Sequence, residues 1–353
     1  MFPQESGMEN ISLKDLSTHA ISLLNKHKTR ALDLATLESG YAPQDIEMLW
    51  NEAEKFAKDF PKLVDISQQI IQFENKISRK FHLSRHNIFL EPWGKVLVTI
   101  PSNATIPLAF ILPMSLILGG NEVIVAVSRG GKKSGEYLIE SMQELYRGKV
   151  SIYRDGVRSG IDSLITPKTE IDCLYYIGPS YAYSSIAEKC ALNGVTLIYE
   201  GEGRSAAIVD DTLSLDELKK SCEYLINSKI FCNGSMCSSP NYILIAENIY
   251  QPFKRIYHDL CCQLSQGDSG SLRYLSDQQV ELIEKQCKEL GKTAPYIENR
   301  KLARPFYWES NELQKLSATE IFHPGVILKR YQCFEDLLHI IRSLDYRLQI
   351  SLF

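Results

Sequence analysis

The sequence predicts an α/β protein of two units, each a parallel sheet covered by helices. Three observations predict it. Apolar strands alternate with helical segments from residue 95 onward. Those strands are near-continuously apolar, as strands buried on both faces are. The chain has 353 residues, enough for two domains of ordinary size.

The first eighty residues read as helical. Ser12 can cap a helix that carries Leu13, Leu16, Ala20, Leu23 and Leu24 on one face. A second helix runs through Ala31, Leu32, Leu34 and Leu37 to Gly40. A third begins near Pro43 with Ile46, Leu49, Trp50, Ala53 and Phe56, and a fourth covers about 63–78. The period then changes. Strands are expected over 95–100, 122–127, 150–153, 172–177 and 195–199, with helices over 106–118, 136–145 and 183–192 between them. The second unit reads as a short strand at 207–209, a helix over 213–229, a strand at 242–245, and helices over 251–264 and 276–290. A strand at 325–331, a helix over 334–344 and a strand at 348–353 complete it. The expected domain boundary falls at residue 205, giving domains 1–205 and 206–353. Ligands of such sheets bind beyond the carboxyl ends of the strands, so residues just after strands are the informative ones.

Bulk composition excludes several classes. Hydrophobic residues make up 44% and charged residues 23%, with a net charge of -4 and no Lys/Arg block, which speaks against a nucleic-acid binder. The longest apolar run, Ile106 to Leu118, holds Pro107 and Pro113 and is too short to span a membrane. The N-terminal segment is polar and acidic, unlike a secretory signal, so a cytoplasmic location is expected. Nine cysteines form no CxxC pair and have no histidine cluster beside them, so no metal site is expected. Most lie in apolar periodic stretches and read as core thiols.

Phe231-Cys232-Asn233-Gly234-Ser235-Met236-Cys237-Ser238-Ser239-Pro240 carries the candidate nucleophile. Small polar residues surround Cys237, whereas Cys232 adjoins Phe231 and an apolar helix, so Cys237 is the better candidate. A lone cysteine is otherwise more often structural. Asn103, in Pro101-Ser102-Asn103-Ala104-Thr105-Ile106-Pro107, follows the first strand and could donate to an oxyanion. Alone it reads more readily as a turn-stabilising asparagine. Glu200 follows a strand in a Gly-rich turn and could serve as a general base, or simply as a solvated loop acid. The run Gly201 to Ala206 mimics a dinucleotide fingerprint, but a strand follows it where the fingerprint needs a helix.

The joint order of these segments resembles the aldehyde dehydrogenase superfamily over nearly the whole chain. Glu91-Pro92-Trp93-Gly94 is similar to its strand-entry segment, and Pro101 to Pro107 to its Pro-x-Asn-x-Pro turn with two residues inserted. Leu118-Gly119-Gly120-Asn121 resembles the Gly-Asn before the next strand. Glu200 to Val209 loosely resembles Glu-x-Gly-Gly-Lys-Ser-Pro-x-Ile-Val. Asn233 to Cys237 resembles the Asn-x-Gly-Gln-x-Cys motif with one position compressed, and Glu320-Ile321-Phe322-His323-Pro324 the ribose-binding Glu-Ile-Phe-Gly-Pro.

The resemblance implies a parallel-sheet dinucleotide-binding domain and a second α/β catalytic domain. It implies oxidation of an aldehyde to an acid through a thiohemiacetal and thioester on Cys237. Asn103 and the Cys237 N–H would hold the oxyanion, and Glu200 would activate water. Acyl-CoA or acyl-phosphate reduction, and a non-catalytic relative, are the alternatives. The implied cofactor is NAD or NADP, at Ile100, Pro101, Ser128, Arg129, Lys132, Gly178, Pro179, Glu320 and Phe322. Where the family usually has Lys, this chain has Ala126, or Val127 if the register slips by one. Arg129 and Lys132, with Gly130, Gly131 and Lys133 at a helix start, could face a 2′-phosphate and lean the reading towards NADP. The expected partner is a small aldehyde or acyl compound. In the family further residues follow the segment resembling 348–353, so the sequence reads as a short member with an unfinished sheet edge. The usual oligomerisation strands are missing, and oligomeric state is left open.

Overall fold

Two long helices, not four, form the N-terminal region of the computed structural model, which describes residues 12–80, 91–264, 275–293, 295, 297–299, 301–302, 304–310, 320–344 and 348–353. The N-terminal segment read as unlike a secretory signal lies outside the described residues, apart from Ser12. Helix α1 spans Leu13–Ser39 and α2 spans Pro43–Lys80. The polar stretch 25–30 interrupts the apolar pattern of α1, but it holds no Gly or Pro and is largely exposed, so the helix continues. In α2 the buried stripe Ile46, Leu49, Trp50, Ala53, Ala57, Phe60 and Val64 runs on past Pro61. A proline inside a helix costs about 3 kcal/mol. Each large apolar side chain buried in full returns about 1.5–3 kcal/mol, so the stripe outweighs it.

The chain divides into two compact units, residues 1–39 with 46–200, and residues 40–45 with 201–353. The first holds a five-stranded sheet: β1 (Lys95–Ile100), β2 (Glu122–Val127), β3 (Val150–Tyr153), β4 (Cys173–Ile177) and β5 (Thr196–Glu200). Their order is β3-β2-β1-β4-β5, and every pairing is parallel. Val96, Leu97, Val98 and Ile100 of β1 are fully buried, as a central strand covered on both faces requires. The covering helices are α3 (Thr105–Leu118), α4 (Lys132–Ser141), α5 (Gln143–Tyr146), α6 (Val157–Leu164) and α7 (Tyr183–Leu192).

The second unit contains β6 (Ala206–Val209), α8 (Leu215–Ile230), β7 (Tyr242–Ala246), α9 (Tyr250–Leu264) and α10 (Asp277–Leu290). A short hairpin, β8 (Ile297–Glu298) and β9 (Lys301–Leu302), precedes β10 (Phe306–Glu309), β11 (Gly325–Tyr331), α11 (Phe334–Ser343) and β12 (Ile350–Leu352). The larger sheet runs β10-β11-β7-β6-β12, again all parallel. Helices α8 and α10 both open with a capping box, Ser214 with Glu217 and Ser276 with Gln279. The sequence pattern did not foresee α6 or β10.

Candidate active site

In the first unit the strand order reverses between β1 and β4. Their carboxyl ends therefore open a crevice, the place where such sheets take ligands. Ile100 and Pro101 leave β1, and Gly178 and Pro179 leave β4. Thr99 ties the two ends: its Oγ1 accepts from the Ile177 N–H at 2.8 Å and donates to the Ile177 carbonyl at 3.1 Å. Thr105 Oγ1 donates to the Pro101 carbonyl at 2.9 Å and closes the turn that holds the half-buried Asn103. A Cβ on Gly178 would lie 2.4 Å from the Tyr176 phenol oxygen, so a side chain there would displace the Tyr176 ring. Ser128 follows β2, and its buried Oγ has no hydrogen-bond partner among the described residues. Glu200 ends β5 with an exposed side chain and accepts a short hydrogen bond from the Tyr175 phenol.

The basic loop after β2 is more committed than its sequence suggests. The N–H groups of Lys133 and Ser134, at the start of α4, donate to the Glu38 carboxylate at 2.7 and 2.8 Å. A carboxylate thus satisfies the helix terminus that sequence reasoning offered to a phosphate. It also explains why α4 begins at Lys132, four residues before the apolar pattern does. Lys132 Nζ donates to the Arg154 carbonyl and lies 3.9 Å from Glu136. Arg129 and Lys133 are exposed.

In the second unit the candidate residues lie at the amino ends of the strands, opposite to the sequence expectation. The loops entering β6, β7 and β11 carry Gly203, Cys237 and Glu320, and these three strands are neighbours. Helix α8 ends at Ile230 with Phe231 as its C-cap, and Cys232, Asn233 and Gly234 then all adopt left-handed backbone, with φ of 49°, 53° and 72°. For residues with a side chain this conformation costs roughly 1–2 kcal/mol each, and it persists only where the surroundings impose it. They do so here. The Cys232 N–H donates to Asp45 Oδ2 at 2.9 Å. Gln279 Nε2 points at Ser235 Oγ (2.8 Å), the Phe322 carbonyl (3.1 Å) and the Asn233 carbonyl (3.3 Å). A Cβ on Gly234 would lie 2.4 Å from the His323 carbonyl oxygen. The loop leaves Cys237 half-buried, while Cys232 is fully buried.

Asn241 locks the three entry loops together. Its N–H donates to the Ser205 carbonyl at 2.8 Å, and its Nδ2 to the carbonyls of Gly203 (3.1 Å) and Ser239 (3.3 Å). Its Oδ1 accepts a short bond from the Ile321 N–H. Ser205 Oγ donates to the Cys237 carbonyl at 3.1 Å. A buried ionisable pair belongs to the same group of loops. Lys229 is fully buried, donates to the Ile321 carbonyl at 3.1 Å, and is pushed down to about 7 by burial, with Glu320 opposing. Glu320 is 3% exposed, and burial pushes it up to about 8. The Gly203 N–H, Lys229 and Arg204 pull it down, Glu202 adds to the rise, and neither carboxylate oxygen makes a well-aligned hydrogen bond. His323 is fully buried. Its Nδ1 accepts from the Gly325 N–H at 3.0 Å, so its Nε2 carries the proton and donates to Gln286 Oε1 at 2.7 Å. Burial holds it well below the usual histidine range.

Sequence reasoning therefore named two sets of residues, and each set gathers within its own unit. Asn103, Glu200 and the crevice residues share the carboxyl ends of one sheet; Cys237, Glu320 and Phe322 share the amino ends of the other. It missed Asn241, Gln279, Lys229, Gln286 and Tyr175. Asn241 follows Pro240 and reads as a turn residue, and Lys229 and Gln286 sit at buried positions of helices where polar residues break the stripe. That break was the available signal.

The sequence profile of the aldehyde dehydrogenase family matches residues 13–353. The chain belongs to the aldehyde dehydrogenase family. Relatives include the D-glyceraldehyde dehydrogenase (NADP(+)) of Picrophilus torridus, 22% identical over 280 residues, covering 76% of this chain and 53% of that protein. The acetaldehyde dehydrogenase (acetylating) EutE of Salmonella typhimurium is 21% identical over 262 residues, covering 71% of this chain and 52% of its own. The chain thus spans about half the length of the curated relatives it matches. Among solved structures, an aldehyde dehydrogenase of Mycobacterium tuberculosis complexed with NAD+ has a TM-score of 0.78 at 16% identity, covering 100% of this chain and 78% of that one. A benzaldehyde dehydrogenase of Corynebacterium glutamicum has 0.79 at 15%, covering 100% and 79%. Aldehyde dehydrogenase architecture accounts for both parallel sheets. Among the described residues no cluster of metal-ligating side chains occurs, and no helix is long and apolar enough to cross a membrane.

Proposed function

We propose that this aldehyde dehydrogenase family member oxidises an aldehyde to a carboxylic acid through a thioester on Cys237, with NAD or NADP as hydride acceptor. The observation that carries the reading is the Cys237 loop: a half-buried thiol on a strained turn that three neighbouring loops hold in one shape. Cys237, as thiolate, adds to the carbonyl carbon, and the Asn103 amide is assigned to the oxyanion. Loss of the aldehyde hydrogen with its electron pair leaves the thioester. Glu200 takes a proton from the water that releases the acid.

The crevice suits a dinucleotide. It lies where the strand order reverses, and the unpartnered Ser128 Oγ offers a hydroxyl just after β2. Ile100, Pro101, Ser128, Arg129, Lys132, Gly178, Pro179, Glu320 and Phe322 are the residues assigned to it. When bound, the nicotinamide supplies the hydride acceptor. A Glu320 carboxyl whose pKa is raised can both donate to and accept from a ribose hydroxyl. The name of the Picrophilus relative supports the lean towards NADP, and with Lys132 and the α4 terminus engaged, Arg129 is the residue assigned to the 2′-phosphate. Equal dissociation constants for NAD and NADP in a fluorescence titration would count against that lean.

The direct test is reduced-nicotinamide absorbance with a panel of aldehydes. Cys237→Ser is expected to lose at least about a thousandfold in turnover, and a variant with full turnover rules out the nucleophile. A second reading, acyl transfer to a thiol such as coenzyme A, is favoured by the engaged Glu200 carboxylate and by the acetylating activity in the name of EutE. Formation of acyl-CoA in the same assay would establish it.

A further inference from the structure

The residue proposed to activate water is already held. Strands β4 and β5 are parallel neighbours, with Tyr175 opposite Ile198 and Ile177 opposite Glu200. Side chains two apart on a strand share a face, so Glu200 lies on the Tyr175 face, one step further along. The phenol reaches across and donates to Glu200 Oε1. Tyr176 points to the opposite face, where its ring stacks on Tyr199 at 5.8 Å. Half-burial of Tyr175, reinforced by the Glu200 carboxylate, holds its phenol well above the usual tyrosine range. The phenol therefore keeps its proton and donates.

We propose that Tyr175 is a positioning residue that parks the Glu200 carboxylate, slows hydrolysis of the Cys237 thioester, and so lets a thiol acceptor of the coenzyme A class take the acyl group. The proposal rests on the reading of Cys237 as nucleophile and Glu200 as the water-activating base. A carboxylate acts on water by accepting its proton, and an O–H···O⁻ bond of the strong, charge-assisted kind occupies one of its two oxygens and holds the side chain against β4. Water needs that base. A thiol does not, because a few per cent of it is ionised at neutral pH unaided. Parking Glu200 therefore slows one acceptor and leaves the other. Both outcomes balance: thioester and water give a carboxylic acid and the free Cys237 thiol, while thioester and coenzyme A give acyl-CoA and the same thiol.

The test uses p-nitrophenyl acetate, which acylates the thiol without any nicotinamide and releases nitrophenolate. The burst then reports acylation of Cys237 and the steady rate reports its deacylation. In Tyr175→Phe the ring remains and only the hydroxyl goes. The expected result is an unchanged burst amplitude and melting temperature, with the water-driven steady rate up about tenfold, the factor one such bond is worth. The fraction of acetyl recovered on added coenzyme A falls in parallel, and Glu200→Gln in the Tyr175→Phe background removes the gain. A normal burst with unchanged deacylation and unchanged partition to coenzyme A overturns the role of Tyr175 alone. A native protein without a burst, or a burst that survives Cys237→Ser, overturns the nucleophile reading and the proposal with it.

Discussion

Gly203 has an ordinary backbone conformation, yet it cannot carry a side chain. A Cβ there would lie 2.4 Å from the Cys237 carbonyl oxygen, which Ser205 already holds. Gly203→Ala is expected to push the nucleophile loop outward and to cost about 1–3 kcal/mol, the usual range for overpacking. The nitrophenyl acetate burst should fall with it, and thermal unfolding with burst kinetics measures both. Asn241 makes a companion case. Asn241→Asp keeps the acceptor for the Ile321 N–H but replaces the donor to Gly203 and Ser239 with an oxygen facing their carbonyls. We expect it to lose about 2–3 kcal/mol, with acidification restoring part of the loss by protonating the carboxylate. Urea unfolding at pH 5 and pH 8 distinguishes this from a simple packing effect. The candidate nucleophile was legible because small polar residues around a thiol are unusual. Its supports were not: each is an Asn, Gln or Lys whose meaning depends on which carbonyl it meets across tens of residues.

The elements differ in how plainly the sequence states them. Strands β1, β2, β4, β7 and β11 were legible because a buried parallel strand is a short continuous apolar run. Strand β10 was not, because Phe306 and Tyr307 are both only half-buried and Trp308 is the one well-buried residue within it, so no clear period shows. Helix α6 is two turns long and buries Gly160 and Ile161, too little for a periodic signal. The N-terminal helices were legible as helix but not as two, since polar gaps and Pro61 resemble endings. Gln279 illustrates an element serving two ends at once. Its Oε1 accepts from the Ser276 N–H at 3.1 Å and starts α10, while its Nε2 braces the nucleophile loop. Gln279→Glu preserves the cap and removes the brace. It should leave the far-ultraviolet circular dichroism of α10 unchanged while lowering stability by about 1–3 kcal/mol and slowing acylation.

For the whole molecule, the Lys229 and Glu320 pair sets a distinctive pH dependence. Glu320 binds its proton more tightly when folded, so its contribution falls as pH rises from about 4.5 to about 8. Lys229 binds its proton less tightly when folded, so its contribution rises with pH from about 7 to about 10.5. Together they make the fold least favoured between about pH 7 and 8. Relative to the native protein, a Lys229→Met, Glu320→Gln double variant should gain most in that window, on the order of 1–4 kcal/mol, and progressively less towards pH 5 and pH 10. Denaturant titrations across pH give the difference, in which His323, Glu202 and Arg204 nearby also take part. His323 itself has a further use. With Nδ1 accepting from a backbone N–H and the Nε2 proton sealed against Gln286, its ring proton should exchange slowly with solvent and resonate far downfield in the proton spectrum. The imidazole is then a built-in reporter: the linewidth of one resolved signal would show how often the floor beneath the Cys237 loop opens to water.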